Sequence, residues 1–386
     1  MHTITGNIIT LDEILTNGAL VIDDDGRIAE VSHQRTSPPR SGDIDARGHW
    51  VVPGFLDMHV HGGGGTDFMR GIPTDVRQVV RTHARFGTTG LLATTWTASH
   101  EDTDAAVQAI RTVMEEGREA DEARILGIHL EGPFICREKR GAQPEAFVRP
   151  PDLEEFAHWV ALSGNTVRQI TLAPEVDGAE ALIKAARAQN VIVSIGHTDA
   201  KAAEVLEAID WGATQATHTF NAMRGLHQRE PGTVGAVLAR PEIMAEIIAD
   251  GVHLHPLVVR LIVAAKGILG AVLITDAIQG AAMPDGEYTL GEETTFMRNG
   301  TAAFADGTLA GSVLTMNRAF ANVQKFAGVG PSQASLLASR NAARQLKLAD
   351  RFGSLAPGKD ADIAIVHPET GDIAWTLIGG QVAHKA

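Results

Sequence analysis

Residues 51–61 read VVPGFLDMHVH, an apolar run that ends in two histidines spaced two apart. On an extended segment such residues point to the same side, as two ligands of one ion must. Seven further stretches repeat the pattern of an apolar run closed by a polar or ionisable residue: TTGLLATTW (88–96), ARILGIHLEG (123–132), VRQITLAPE (167–175), VIVSIGH (191–197), ATQATH (213–218), IMAEIIADGVH (243–253) and AVLITD (271–276). Short unbroken apolar runs are the signature of strands buried on both faces. The spacers Thr74–Phe86, Glu180–Gln189, Ala200–Trp211, Pro256–Lys266 and Ser332–Lys347 are rich in good helix formers, with Thr74 placed as an N-cap. About eight strand–helix alternations predict a parallel sheet, and eight strands close a (β/α)8 TIM-type barrel; a doubly wound open sheet is the alternative.

The two ends of the chain are written differently. TITGNIITL, GALVIDDDGRIAEVS and, near the C-terminus, GKDADIAIVHP, GDIAWTLIGG and QVAHK are short β-branched runs between Gly, Asp and Pro turn signals. The expected organisation is a small β-sandwich domain from 1–52 plus 357–386, around a barrel domain from 53–356.

Composition excludes several classes of function. Thirty-three Lys and Arg against 47 Asp and Glu leave a net charge of −14 over 386 residues, with no basic tract. Nucleic-acid and anionic-membrane surfaces depend on clustered cations, so neither partner is expected, whereas one local basic pocket would still admit a sugar phosphate. The single cysteine, Cys136, cannot form an internal disulfide. The N-terminus has no charged-then-apolar leader, and Leu261–Thr275 is broken by Lys266 and two glycines. A cytoplasmic protein without a membrane span is expected.

In a barrel the reactive residues stand at the C-terminal ends of the strands. That rule selects His59 and His61, then Glu131, His197, His218 and Asp276. One histidine at a strand end is ordinarily a hydrogen-bonded structural residue. An HxH followed in order by Glu, His, His and Asp, each after its own apolar run, is instead a set for a divalent ion, with an incomplete protein shell that leaves room for water. His83 on a helix and His100 in a loop read as structural or solvated. No Lys closes a candidate strand.

PGFLDMHVHG, with GKDADIAIV near the end of the chain, resembles the amidohydrolase superfamily. LEGPF at 130–134, IGHT at 195–198, HTFNAM at 218–223, REPG at 229–232, DGVH at 250–253 and TDAI at 275–278 resemble, more narrowly, the N-acetylglucosamine-6-phosphate deacetylases. The resemblance implies hydrolysis of the N-acetyl group of N-acetyl-D-glucosamine 6-phosphate to D-glucosamine 6-phosphate and acetate, by metal-activated water with Asp276 as proton shuttle. The galacto epimer, or a cyclic amide or N-acyl amino acid on the same scaffold, is the alternative substrate. Glu131, His197 and His218 match the family's main metal site, His59 and His61 one that only some members retain, and Asp276 borders both. The metal is expected to be zinc, with iron, manganese or cobalt possible, at one or two ions per chain. Asn221, Ala222, Arg229 and His253 are the candidate phosphate contacts. Arg229 matches an Arg held to reach the neighbouring subunit's ligand, which implies a homodimer. Asp250, Leu309, Ala310 and Gly311 match positions that line the sugar. The chain departs from the family at Gly141-Ala142-Gln143, where Gly-Ala-His is usual; Gln can donate through its NH2 but carries no charge.

Overall fold

The computed structural model describes residues 2–35, 38, 40–291 and 293–386. Eight parallel strands run in chain order around one sheet: β1 (Phe55–Val60), β2 (Thr88–Thr95), β3 (Arg124–Glu131), β4 (Val167–Leu172), β5 (Ile192–Ile195), β6 (Gln215–Ala216), β7 (Met244–Ile248) and β8 (Ala271–Ile274). The sheet closes on itself just beyond the ends of β1 and β8. There the Asp276 N–H donates to the His59 carbonyl at 2.8 Å, and the His61 N–H to the Ala277 carbonyl at 2.9 Å. The (β/α)8 architecture is therefore the one adopted, and the open-sheet alternative falls.

Helices α1 (Pro73–Ala84), α2 (His100–Glu116), α3 (Leu153–Leu162), α4 (Ala179–Ala188), α5 (Ala202–Trp211), α6 (Gly232–Ala239), α7 (Pro256–Lys266) and α8 (Met316–Ala327) accompany the strands. Thr74 is not the N-cap of α1: Pro73 occupies the first turn and Ile72 precedes it, as suits a residue with a fixed φ and no N–H to leave unpaired. His100 is not in a loop but is the first residue of α2, capped by Ser99, whose hydroxyl accepts from the Asp102 N–H at 3.1 Å. The spacer expected as Ser332–Lys347 is helical from Pro331 to Gln345, with a wider π-type turn at Leu336–Arg340. A three-stranded antiparallel insert, Gly286–Leu290, Glu293–Arg298 and Thr301–Ala303, rises between β8 and α8.

Both chain ends build one seven-stranded sheet. His2–Ile9, Ile14–Ile22, Ile28–Ser32 and Ile44–Pro53 join Ile363–Val366, Ile373–Ile378 and Gln381–Lys385, with Ile44–Pro53 antiparallel to Ile363–Val366. Its buried residues, among them Ile4, Ile8, Leu20, Val51 and Ile363, form a cluster separate from the barrel core. Among the described residues, no helix is long and apolar enough to cross a membrane.

The barrel is apolar outside and polar within. Gln169 of β4 donates to Glu246 of β7 at 2.8 Å, and Ser194 of β5 meets Thr217, just past β6, at 2.6 Å. β4 and β7 are not neighbours in the sheet, so the first of these bonds crosses the lumen. At the closing seam the buried Asp57 accepts the Thr275 hydroxyl at 2.5 Å and the Thr275 and His59 N–H groups at 3.2 Å each, while burial pushes its pKa up to about 7. A buried donor left unsatisfied costs about 1–3 kcal/mol, so Asp57→Ala is expected to destabilise the fold by about 3 kcal/mol or more. A thermal or denaturant midpoint indistinguishable from the parent's would show that the seam does not depend on this carboxyl.

Candidate metal centre

Six side chains from five strand ends meet at the C-terminal mouth of the barrel. His59 lies in β1 and His61 one residue beyond it; Glu131 closes β3; His197, His218 and Asp276 each stand two residues past β5, β6 and β8. These last three adopt left-handed backbone, with φ of 48°, 30° and 51°. A non-glycine residue there stores about 1–3 kcal/mol of strain and persists only where its surroundings fix it. The fixing bonds are visible: Cys136 N–H to the His197 carbonyl at 2.9 Å, His218 N–H to Glu246 Oε2 at 3.1 Å, and Ser312 N–H to the Asp276 carbonyl at 2.8 Å. The residue before His197 must be Gly196, because a Cβ there would stand 2.6 Å from Thr217.

The donor atoms form two adjoining cages, His59–His61–Asp276 and Glu131–His197–His218. Glu131 Oε1 lies 3.2 Å from the Nε2 atoms of His59, His197 and His218, and Oε2 lies 3.3 Å from His61 Nε2. Asp276 Oδ1 is 3.4 Å from His59 Nε2 and 3.2 Å from His61 Nε2. The outer ring nitrogens set the tautomers. Nδ1 of His59 donates to Glu246, that of His61 to the Thr94 carbonyl, and that of His197 to the Lys139 carbonyl, at 3.1, 3.3 and 3.0 Å. Nδ1 of His218 has no hydrogen-bond partner.

In the neutral rings of His59, His61 and His197, then, Nε2 carries a lone pair. His59 and His61 bring two such lone pairs to 3.2 Å, and His197 Nε2 lies 3.1 Å from His218 Nε2. Lone pairs so placed repel unless a cation lies between them. In the protein's own field, protons supply that charge. Burial opposes a charged His61, yet Asp276 and Glu131 lift its pKa to about 9; burial likewise opposes a charged Asp276, yet His59 and His61 hold it at about 2. A divalent cation balances the same carboxylates while releasing the imidazole protons. Nitrogen and carboxylate oxygen in these numbers fit such an ion.

Above the cages opens a pocket of about 420 Å³. Of the expected substrate residues, Ala142, Gln143, Asn221, Ala222, His253, Leu309, Ala310 and Gly311 line it, as do His61, Glu131, His197, His218 and Asp276. Asp250 and Arg229 do not. Asp250 sits behind His253, holding its Nδ1 at 2.6 Å, and raises that histidine's pKa against the effect of burial. Arg229 is exposed, away from the lining. Asn221 spends its N–H on the His218 carbonyl at 2.9 Å and its side-chain Nδ2 on the same oxygen at 3.1 Å. Gln143 is buried and committed at both ends: Nε2 donates to Glu131 Oε2 at 2.6 Å and Oε1 accepts the Thr97 N–H at 2.6 Å. Cys136 stays off the lining; burial and Glu138 push its thiol up to about 11, so it is inert.

Sequence reasoning missed Trp96 and Lys139, which line the pocket, and Glu246, which lies beneath it. Lys139 had a signal in the basic run REKR after LEGPF. Trp96 had one in ending its strand run. Glu246, inside the apolar IMAEII, had one in being the wrong residue for an apolar strand.

The model of the Amidohydrolase family matches residues 50–383. The N-acetylglucosamine-6-phosphate deacetylase of Bacillus subtilis (strain 168) is 39% identical, over 97% of this chain and 95% of the relative. The N-acetylgalactosamine-6-phosphate deacetylase of Escherichia coli O157:H7 is 37% identical, over 92% and 94%. Among solved structures, a mutant N-acetyl-D-glucosamine-6-phosphate deacetylase from Mycobacterium smegmatis in complex with N-acetyl-D-glucosamine-6-phosphate superposes with a TM-score of 0.92 at 34% identity, over 99% of both chains. A strained ring of strand-end donor side chains around Glu131 and a match over nearly the whole chain lead to one assignment: the chain belongs to the amidohydrolase family, among the N-acetylglucosamine-6-phosphate deacetylases.

Proposed function

We propose that this protein hydrolyses the N-acetyl group of N-acetyl-D-glucosamine 6-phosphate, yielding D-glucosamine 6-phosphate and acetate. The observation that carries the reading is the position of Asp276, whose carboxylate enters the pocket floor beside both cages while Lys139 and His253 line the same cavity. His59, His61, Glu131, His197 and His218 are the proposed ligands of one or two divalent ions, zinc suiting the mixed nitrogen and oxygen donors and iron, manganese or cobalt being chemically admissible. When bound, such an ion acidifies water and polarises a carbonyl.

The remaining work belongs to the chain. Asp276 takes a proton from the attacking water as the C–O bond forms, and delivers it to the amide nitrogen as the C–N bond breaks, so the amine leaves neutral together with acetic acid, which then loses its remaining proton to solvent to give acetate. Positive charge beside it keeps it ionised, supplied by the imidazolium forms of His59 and His61 or, in their place, by a bound cation. Lys139, paired with Asp199 at 3.3 Å, and His253 supply positive charge for the phosphate. With the backbone N–H and one side-chain hydrogen of Asn221 engaged by the His218 carbonyl, its second Nδ2 hydrogen and the backbone N–H of Ala222 are the candidates on that loop. Gln143 commits one hydrogen of its NH2 to Glu131 Oε2, so in this reading its main part is to hold the orientation of Glu131. The exposure of Arg229 supports a homodimer in which it reaches the neighbouring pocket, and a cytoplasmic location belongs to the same family expectation.

The galacto epimer is the second reading, favoured by the likeness to the Escherichia coli enzyme named for it. Acetate release from N-acetylglucosamine 6-phosphate, its galacto and manno epimers, and unphosphorylated N-acetylglucosamine separates the cases. The gluco phosphate should give the highest kcat/KM; equal turnover of the unphosphorylated sugar would end the proposal. Asp276→Asn is expected to keep bound metal and lose about 10²–10⁴-fold in kcat. Near-parental turnover in a folded, metal-loaded variant would remove Asp276 from the proton path. Gln143→Ala, by freeing Glu131, should weaken metal binding or activity by about 10–100-fold. Unchanged metal affinity and rate would mean that Glu131 is held without it.

A further inference from the structure

We propose that the crossing of α2 and α3 carries a separate site for a zinc-class divalent cation, built by His100, Asp104 and His158. One donor atom from each residue lies within 4.8 Å of the others. His100 and Asp104 are one turn apart on α2, the i,i+4 spacing that puts two ligands on one helical face. His158 projects from α3 onto the same carboxylate. Its Nε2 is 3.0 Å from Asp104 Oδ2, and His100 Nε2 is 3.7 Å from that oxygen. Ligands bound tetrahedrally at about 2.0–2.1 Å stand roughly 3.3 Å apart, a value these two distances bracket, so capture of an ion needs shifts of only a few tenths of an ångström.

The surroundings are arranged as around a metal-binding histidine. His100 donates its Nδ1–H to Glu155 Oε1 at 3.0 Å, which leaves a lone pair on the Nε2 that faces Asp104. Glu155 is itself fixed by Arg149, Nε to Oε2 at 3.0 Å. Trp159 Nε1 donates to Asp104 Oδ1 at 3.0 Å and so fixes the carboxylate, while His158 Nε2 faces both of its oxygens, 3.1 Å from Oδ1 and 3.0 Å from Oδ2. The rings of His100 and His158 lie 5.0 Å apart at 32°. The side chains are 47%, 25% and 44% exposed for His100, Asp104 and His158, so an ion arrives from solvent and keeps water in its open position. The positive end of α2 opposes a cation here. The full charge of Asp104 outweighs that half charge, the charge of Glu155 being already offset by Arg149.

Occupancy would join two segments that frame the pocket. Trp96, on the lining, is four residues before His100, and Arg149 donates to the Ala98 carbonyl at 3.0 Å. A bound ion would pin α3 and the Arg149 segment to the loop between β2 and α2. None of the three ligands belongs to the catalytic cages, so the site can be emptied while those remain filled.

The test is equilibrium dialysis of the purified holoenzyme against buffered Zn2+, followed by metal analysis. The parent should hold about one more zinc per chain than His158→Ala or Asp104→Asn at equal kcat, and Glu155→Gln should weaken that extra ion by about 10–100-fold. Excess Mg2+, which prefers oxygen ligands, should not displace it. Equal zinc content in parent and His158→Ala, or loss of the extra ion to Mg2+, overturns the proposal and leaves an ordinary cluster of His–Asp ion pairs.

Discussion

A carboxylate with no solvent exposure stands in the lumen of the barrel, and the metal mouth is assembled on it. Glu246 accepts four hydrogen bonds: from Gln169 at 2.8 Å, Gln215 at 2.6 Å, His59 Nδ1 at 3.1 Å and the His218 backbone N–H at 3.1 Å. A carboxylate removed from water is tolerated only when its oxygens are satisfied in this way. The cost is that β4 and β6 must place amides, not aliphatic side chains, on the lumen side. Most barrels of this kind fill that space with layers of Val, Ile and Leu. Here a hydrogen-bonded plug replaces part of the layering, and it fixes one ligand from each of the two cages at once.

That arrangement explains why strain is concentrated at the ligands. A strand ending in ordinary extended backbone would carry its last side chain along the barrel wall. The left-handed turns at His197, His218 and Asp276 aim them across the mouth. The bonds that hold these turns come from elements far away in sequence, including the Ser312 N–H on the Asp276 carbonyl. Pre-organisation of the site is therefore a property of the closed barrel, not of any single loop.

What was legible in the sequence follows from the same physics. Each barrel strand was readable as a mainly apolar run, because its outward residues are buried under the helices, and the donor side chains of the mouth were readable because each lies in or just past such a run. Glu246 showed only as a carboxyl out of place in an apolar strand; its role was not readable, since its partners Gln169 and Gln215 belong to other strands and meet it only in the lumen. Helices α2, α3, α6 and α8 escaped a reading led by the strands. The Asp250 carboxyl was placed against the sugar by resemblance to family positions, and the turn that follows folds it back onto the Val252 and His253 N–H groups. Turns decide where such a side chain goes, and a motif match carries no information about how its turn folds.

Charge shows the same division between what is global and what is local. A net charge of −14 should repel a sugar phosphate, but at physiological salt charges farther apart than about 8 Å are largely screened from one another. Lys139 and His253 line the pocket itself, within the range that screening leaves intact. A divalent ion held by the proposed cages would add to this by offsetting the charges of Glu131 and Asp276, the nearest carboxylates on the pocket floor. An acidic protein can thus present a locally cationic pocket to an anionic substrate, and the sign of the whole chain governs solubility and long-range encounter while the contents of the mouth govern recognition.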